Sequence, residues 1–281
     1  MIKPNKTTLI IAVYKNTAAL KILFNAIRQQ SVLPDEIIIA EDGEYEEMRE
    51  LIEREAIQGL VHLTQEDLGW RKAKSINNAI KKATGDYLII IDGDCIPHPR
   101  FIEGHIECSE PNKVCCGKRS ELGEKITQKI YNHTLSIAEL TDKYLFSLLS
   151  HQREGTRHYE EGIYIPYNGW MYRFLKNRHV RYIIGCNYSC YKHDMVAING
   201  LDEDYTKPSV GEDIDLGWRF RGLGIELKSC RNAANVYHLY HKKNFNADTL
   251  RENDAILKRN FDINRYICRN GLEKLPQENE S

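Results

Sequence analysis

The sequence places Asp92-Gly93-Asp94 directly after the apolar run Leu88-Ile89-Ile90-Ile91. Two carboxylates leaving a buried strand repel each other, and an Asp beside a Gly is poor strand material, so the pair calls for a compensating charge. A divalent cation supplies one. Oxygen ligands suit Mg²⁺ or Mn²⁺, ions that carry substrate phosphates together with one or two protein carboxylates. An isolated D-x-D is also, more simply, a solvated acidic turn. A second acidic pair, Glu212-Asp213, opens the run GEDIDLGWRF. Acids at a helix start stabilise its macrodipole, and such a carboxylate can equally act as a general base. Near the end, VYHLYH brings His238 and His241, each able to bind a metal, although a histidine on a strand is more often a packed or surface residue. Arg71, after Gly69-Trp70, offers a planar cation suited to phosphates, or a solvated charge at a helix start beside Lys72 and Lys74.

These groups need a frame. Thr8 to Val13 reads as a strand, followed by Leu20, Leu23, Phe24 and Ile27 at helical spacing. Glu36 to Ala40 gives a second strand ending in Glu41-Asp42-Gly43, then a helix with Met48, Leu51, Ile52 and Ala56 on one face. Leu60 to Leu63 reads as a short strand, Ala73, Ile76, Ile80 and Ala83 as a helix, and Tyr87 to Ile91 as a strand. Strands alternating with helices predict an α/β fold with a mainly parallel sheet covered on both faces, whose ligands sit at the carboxyl ends of the strands. Tyr14, Asp42 and Asp92 fall at or just past such ends. Helical spacing continues from Ile126 to Leu149, and a polar, aromatic stretch runs to Tyr182. A strand is predicted from Tyr182 to Cys190, helices around 194–198, 212–221 and 247–267, and strands near Ile225 and Val236.

Composition narrows the partners. The 281 residues carry 39 basic and 40 acidic side chains, which leaves no broad basic field for nucleic acid. The run Leu9 to Val13 is too short for a signal-peptide core or a membrane span, which predicts a cytoplasmic protein. Eight cysteines without a C-x-x-C pair read as reduced, mostly buried thiols.

Taken in order, LIIAVYKN, EIIIAEDGE, GWRKAKSINNAI, GDYLIIIDGDC, GCNYSCYKHDM, INGLDEDY, GEDIDLGWRFRGLG and VYHLYH resemble glycosyltransferase family 2, over roughly residues 7 to 241. The likeness is greatest to the catalytic modules of bacterial chondroitin and hyaluronan polymerases, with a galactosyltransferase-type segment in GLDEDYTKPSVGEDIDLGWRF. The resemblance implies a Rossmann-like GT-A fold, with residues 1–245 as the catalytic domain and 246–281 as a helical tail. It implies that Val13 and Tyr14 hold the nucleotide base, that Asp42 accepts the uracil N–H, with Glu41 as substitute, and that Arg71 lies near base and phosphates. It assigns Asp92 to the ribose, Asp94 and His238 to the metal, Asn187 to the donor-sugar pocket, Asp213 to the catalytic base and Glu212 to acceptor or loop orientation. His241 competes with His238. Asn77, Asp215 and the acidic cluster Asp202-Glu203-Asp204 read as structural.

The reaction so implied is inverting, metal-dependent transfer from a UDP-sugar to a hydroxyl of a glycan acceptor, free or lipid-linked, in bacterial surface polysaccharide biosynthesis. A nucleotidyltransferase and a non-catalytic nucleotide-sugar or glycan-binding module are the rivals. The stretch GWMYRFLKNRHVRY, residues 169–182, interleaves aromatics and cations and suits either an acceptor lid or peripheral contact with the inner membrane face.

Overall fold

The protein is described here by a computed structural model covering residues 3–55, 57–208, 211–242 and 247–276. Ala56 on the second predicted helix, and the polar end from residue 277, lie outside the described residues. Through residue 92 the alternation forms as expected: β1 Thr7–Val13, α1 Thr17–Arg28, β2 Glu36–Glu41, α2 Glu46–Glu55, β3 Leu60–Leu63, α3 Lys72–Lys82 and β4 Tyr87–Asp92. β1 pairs in parallel with β2 and β4, placing Val13 level with Glu41 and Ala12 level with Asp92. Three strand ends therefore finish at one edge. Leu9, Ile11, Ile37, Ile39, Ile89 and Ile91 pack with α1 and α2, while Ile10, Ile38, Leu88 and Ile90 pack with α3. Burial on both faces accounts for strands that are apolar throughout.

Next come β5 Cys95–Pro97, α4 Phe101–Cys108, β6 Lys113–Cys116, β7 Arg119–Glu121, α5 Glu124–Tyr131, α6 Ile137–Asp142 and α7 Leu148–Arg153. The helical stretch predicted from Ile126 to Leu149 is thus broken. His133 adopts a left-handed φ of 56° after α5, and Ser136 restarts the chain through a capping box with Glu139. β8 Asn187–Tyr191 starts later than predicted and runs antiparallel to β4 and β6. α8 Lys192–Ala197, α9 Glu212–Gly222, β9 Glu226–Ser229, β10 Val236–His238 and α10 Ala247–Asp262 follow. The main sheet has the order β3-β2-β1-β4-β8-β6-β9, and a small second sheet has the order β5-β10-β7.

α10 stops short of the predicted 267, with Asn264 in a left-handed conformation at φ 48°. Its end lies on α9, where the Trp218 ring meets Phe261 at 4.4 Å and Tyr266 at 4.7 Å. A buried ion pair ties these pieces together. Asp215 and Arg219, one helical turn apart on α9, meet at 2.6 Å with side chains 1% exposed. Arg219 also donates to the carbonyls of Ile198 and Gly200, and Asn260 of α10 donates to both Asp215 and Asp202. Asn77 of α3 joins the same region, donating to the Leu201 carbonyl and accepting its N–H. These bonds fix where α9 begins, which is where the Glu212-Asp213 pair sits. All eight cysteines are buried and free. Among the described residues no helix is long and apolar enough to cross a membrane.

Asp215→Ala strands the Arg219 guanidinium without its carboxylate, an expected cost of about 3–5 kcal/mol. A lowered urea midpoint at unchanged m-value is the readout. A midpoint equal to wild type means α9 does not depend on this pair.

Candidate active site

Two chain segments far apart in sequence meet at Asp94. β10 pairs antiparallel with β5, His238 opposite Cys95, and the Leu239 N–H continues the ladder to the Asp94 carbonyl at 2.9 Å. The register sets the His238 Nε2 3.5 Å from Asp94 Oδ2, and His241 Nε2 approaches the same oxygen at 3.4 Å. Asp94, His238 and the Cys95 thiol bring one donor atom each within 4.8 Å of one another. Burial lowers the His238 pKa, opposed by Asp94 and reinforced by Arg119 and His241, so the ring is biased towards the neutral, metal-binding form. The Cys95 thiol is pushed well above its ordinary range by burial and by the neighbouring Cys186, Asp94 and Asp92. Carboxylate and imidazole donors fit a divalent cation; the buried thiol makes the floor beneath them. Cys95 was not singled out in the sequence.

Asp92 pairs with Lys72 Nζ at 2.5 Å. Lys72, noted in the sequence only as a neighbour of Arg71, lies among the carboxylates. Burial works against its ammonium, but Asp92, Glu212 and Asp213 outweigh that and hold it above the ordinary lysine value. Its three partners come from β4 and from the start of α9. Burial pushes the Glu212 carboxyl up to about 8, against the pull of Lys72 and with the push of Asp213, Asp92 and Asp215. Asp213 is raised as well, mainly by burial, while the Gly185 N–H, Lys72 and Arg119 pull the other way. A Cβ at Gly185 would meet Asp213 Oδ1 at 2.5 Å, so this approach requires glycine. Asp92 and Arg119 each act electrostatically on both His238 and Asp213, so the metal corner and the carboxylate pair feel the same two charges. Arg119 itself contacts Cys186 Sγ at 3.5 Å and Glu121 at 3.2 Å, and its position on a three-residue strand left no periodic signal.

The remaining expected contacts divide. Tyr14 is 48% exposed at the end of β1, edge-on to Tyr45 at 5.7 Å, with the Lys15 ammonium over both rings and Asp67 bonded to both hydroxyls. Arg71 has a buried Nε with no hydrogen-bond partner, while its guanidinium also donates to the Glu66 carbonyl. Asp42 also takes part in the local framework. It is buried and its two oxygens accept from Gln65 at 2.7 Å and from the Arg71 backbone N–H at 2.6 Å, so it clamps the loop that carries Arg71. Glu41 is likewise spent, on His62 and the Tyr45 N–H. Val13 is buried too: a Cβ at Gly93 would meet its Cγ1 at 2.7 Å, and its carbonyl accepts the Asp42 N–H. Its side chain packs beneath the strand ends. Asn187 is fully buried, its side-chain oxygen accepting from His105 Nε2 at 3.0 Å while its amide nitrogen donates to the Lys118 and Ala234 carbonyls. These bonds tie the start of β8 to α4, Lys118 and Ala234.

The family described as glycosyl transferase family 2 matches residues 8–180, and the N-terminal domain of galactosyltransferase matches residues 170–242. The chain belongs to glycosyl transferase family 2. Its relatives include "Chondroitin synthase" of Escherichia coli, 23% identical over 243 residues and covering 82% of this chain and 34% of the relative. "Validoxylamine A glucosyltransferase" of Streptomyces hygroscopicus subsp. limoneus is 22% identical over 234 residues, 80% of this chain and 50% of the relative. The chain thus spans between about one third and one half of the length of these relatives. The fold is the GT-A fold of glycosyltransferases. Among solved structures, GalNAc-T7 with UDP, GalNAc and Mn²⁺ matches at TM-score 0.61 and 11% identity, over 90% of this chain and 47% of that one. A mannosyltransferase from Pyrobaculum calidifontis in complex with GDP-Man and Mn²⁺ matches at 0.55 and 15% identity, over 87% and 59%.

Lys72→Met removes the cation facing Glu212 and is expected to move that carboxyl above its value of about 8. Carbon-13 NMR titration of the glutamate side chains checks this, and a Glu212 resonance that titrates unchanged contradicts the role given to Lys72.

Proposed function

We propose that this chain is an inverting glycosyltransferase that moves a sugar from a UDP-sugar to a hydroxyl of a glycan acceptor. What supports the reading is that His238 meets Asp94 at 3.5 Å, while Asp92, two residues before Asp94, pairs with the same Lys72 ammonium on which Glu212 and Asp213 act. Asp213, with its raised pKa, accepts the proton of the acceptor hydroxyl as that oxygen attacks the anomeric carbon. The bond from the anomeric carbon to the diphosphate oxygen breaks, UDP departs, and an α-donor gives a β-linkage. No covalent intermediate on the protein is needed. Glu212, neutral below about pH 8, donates a hydrogen bond to orient the acceptor without competing for its proton.

When bound at Asp94 and His238, Mn²⁺ or Mg²⁺ supplies Lewis-acid stabilisation of the diphosphate charge. The imidazole ligand favours Mn²⁺ of the two. Tyr14 stacks or abuts the base, Arg71 turns its free Nε to the phosphates, and Asp42 and Val13 hold the loop and floor that carry them. Asp92, paired with Lys72, lies on the ribose side. Residues 1–245 contain every group in this scheme, and the tail 246–281 acts by bracing α9. Likeness to "Chondroitin synthase" of Escherichia coli supports a setting in bacterial surface polysaccharide assembly, and eight free thiols accord with the cytoplasm.

Two experiments test the reading. In thermal shift, UDP-sugars with Mn²⁺ are expected to raise Tm more than GDP- or dTDP-sugars, and Asp94→Ala is expected to abolish the metal-dependent part; a preference for another base overturns the uridine assignment. In a transfer assay, Asp213→Asn is expected to keep UDP binding and lose transfer by at least ~100-fold. Glu212→Gln, close to the neutral form of the residue it replaces, is expected to keep most activity below pH 8. Full transfer by Asp213→Asn rules out the base; absence of transfer and of donor hydrolysis in the wild type favours a binding module.

A further inference from the structure

From Gly162 to His193 the chain contains no Asp or Glu, yet carries Arg173, Lys176, Arg178, Arg181 and Lys192. Within this stretch a short 3₁₀ turn, Met171–Phe174, is pinned by Tyr172, which is buried and donates to the Ser229 carbonyl at 3.2 Å. Burying Tyr172 turns its neighbours outward. Trp170 is 72% exposed and Phe174 79%, their rings edge to face at 6.5 Å, and Met171 beside them is half exposed. Single exposed apolar residues are ordinary, but a Trp-Met-Phe cluster on one turn is a patch that marks a docking surface. Arg173 within the turn, Lys176 two residues after it and Arg181 further along the same acid-free stretch are exposed and form no ion pair among the described residues. The stretch therefore presents apolar rings together with uncompensated positive charge.

We propose that this turn docks the protein on an anionic lipid bilayer. Trp170, Met171 and Phe174 enter the headgroup region, where amphipathic aromatic rings are favoured, and Arg173, Lys176 and Arg181 pair with lipid phosphates. The charge pattern selects this occupant over a protein partner, since a protein surface would have to supply an acidic rim to match an acid-free segment of this length. The same segment continues past Tyr182, whose ring lies 4.3 Å from the Lys118 ammonium, to Gly185, whose N–H meets Asp213. The docking turn and the Asp213 contact at Gly185 therefore belong to one acid-free stretch of chain, which suits a lipid-borne acceptor. The docking itself does not depend on the transfer reaction.

Flotation of the full chain with phosphatidylcholine vesicles, with and without about one third phosphatidylglycerol, tests the proposal. Binding is expected to the anionic vesicles alone, to be released by high salt, and to shift Trp170 fluorescence to the blue. Trp170→Ser with Phe174→Ser, and separately Arg173→Glu with Lys176→Glu, are each expected to weaken binding by at least ~10-fold while leaving the thermal melt unchanged. All four side chains are exposed, so folding should not be at stake. Failure to float with anionic vesicles, equal flotation with neutral ones, or undiminished binding by either variant overturns the proposal. Loss of transfer to a soluble acceptor in variants of a protein that binds no vesicle makes the turn an acceptor lid, and overturns it too.

Discussion

Four carboxylates, those of Asp92, Asp94, Glu212 and Asp213, crowd one edge of the central sheet, and the protein must hold them together against their mutual repulsion. Much of the surrounding structure answers that demand. Lys72 lies among three of them, Arg119 acts from the side on Asp213, and the Gly185 backbone N–H comes close enough to bond Asp213 because no Cβ intervenes. Behind them the Asp215–Arg219 pair and its hydrogen bonds to α8, α10 and the intervening loops fix α9. Asp94 stands apart from Lys72, with imidazoles in place of an ammonium. The acidic edge is thus balanced at one end by a resident cation, and at the other it is left with the donor set of a divalent one.

That division bears on proton transfer. A carboxylate meant to take a proton from an alcohol gains from a raised pKa, and burial among like charges gives Asp213 that property. Lys72 sits where it offsets Asp213 and Glu212 together, yet Glu212 still rises to about 8. Two adjacent acids in one helix start are thus both raised by burial, Glu212 to about 8, with Lys72 opposing the shift in each.

How much of this was legible in the sequence depended on the range of the interactions. The parallel strands were visible since burial on both faces makes them continuously apolar, and Asp92-Gly93-Asp94 and Glu212-Asp213 stood out as acids at element ends. The strand near Val236 was visible but its partner was not: β5 has three residues and left no periodic trace, and only its pairing with β10 brings His238 to Asp94. Lys72 and Arg119 are ordinary surface types until the fold surrounds them with carboxylates or thiols. Asn187 and Asp42 have surroundings that the sequence did not reveal. Their positions at strand ends match the family pattern, but the hydrogen bonds that occupy them come from His105, Gln65 and the Arg71 backbone, none of which adjoins them in sequence. The broken helical stretch after Tyr131 turned on a single left-handed residue, His133, which apolar spacing does not register.

The central claim is that one cleft joins Asp94 and His238, as metal ligands, to the diphosphate of a nucleotide. Pulsed electron paramagnetic resonance of Mn²⁺ bound with UDP reads those contacts directly. The account predicts coupling to phosphorus and to one imidazole nitrogen, the nitrogen signal vanishing in His238→Ala and persisting in His241→Ala. A nitrogen coupling that survives His238→Ala, or a spectrum with no imidazole nitrogen at all, contradicts it.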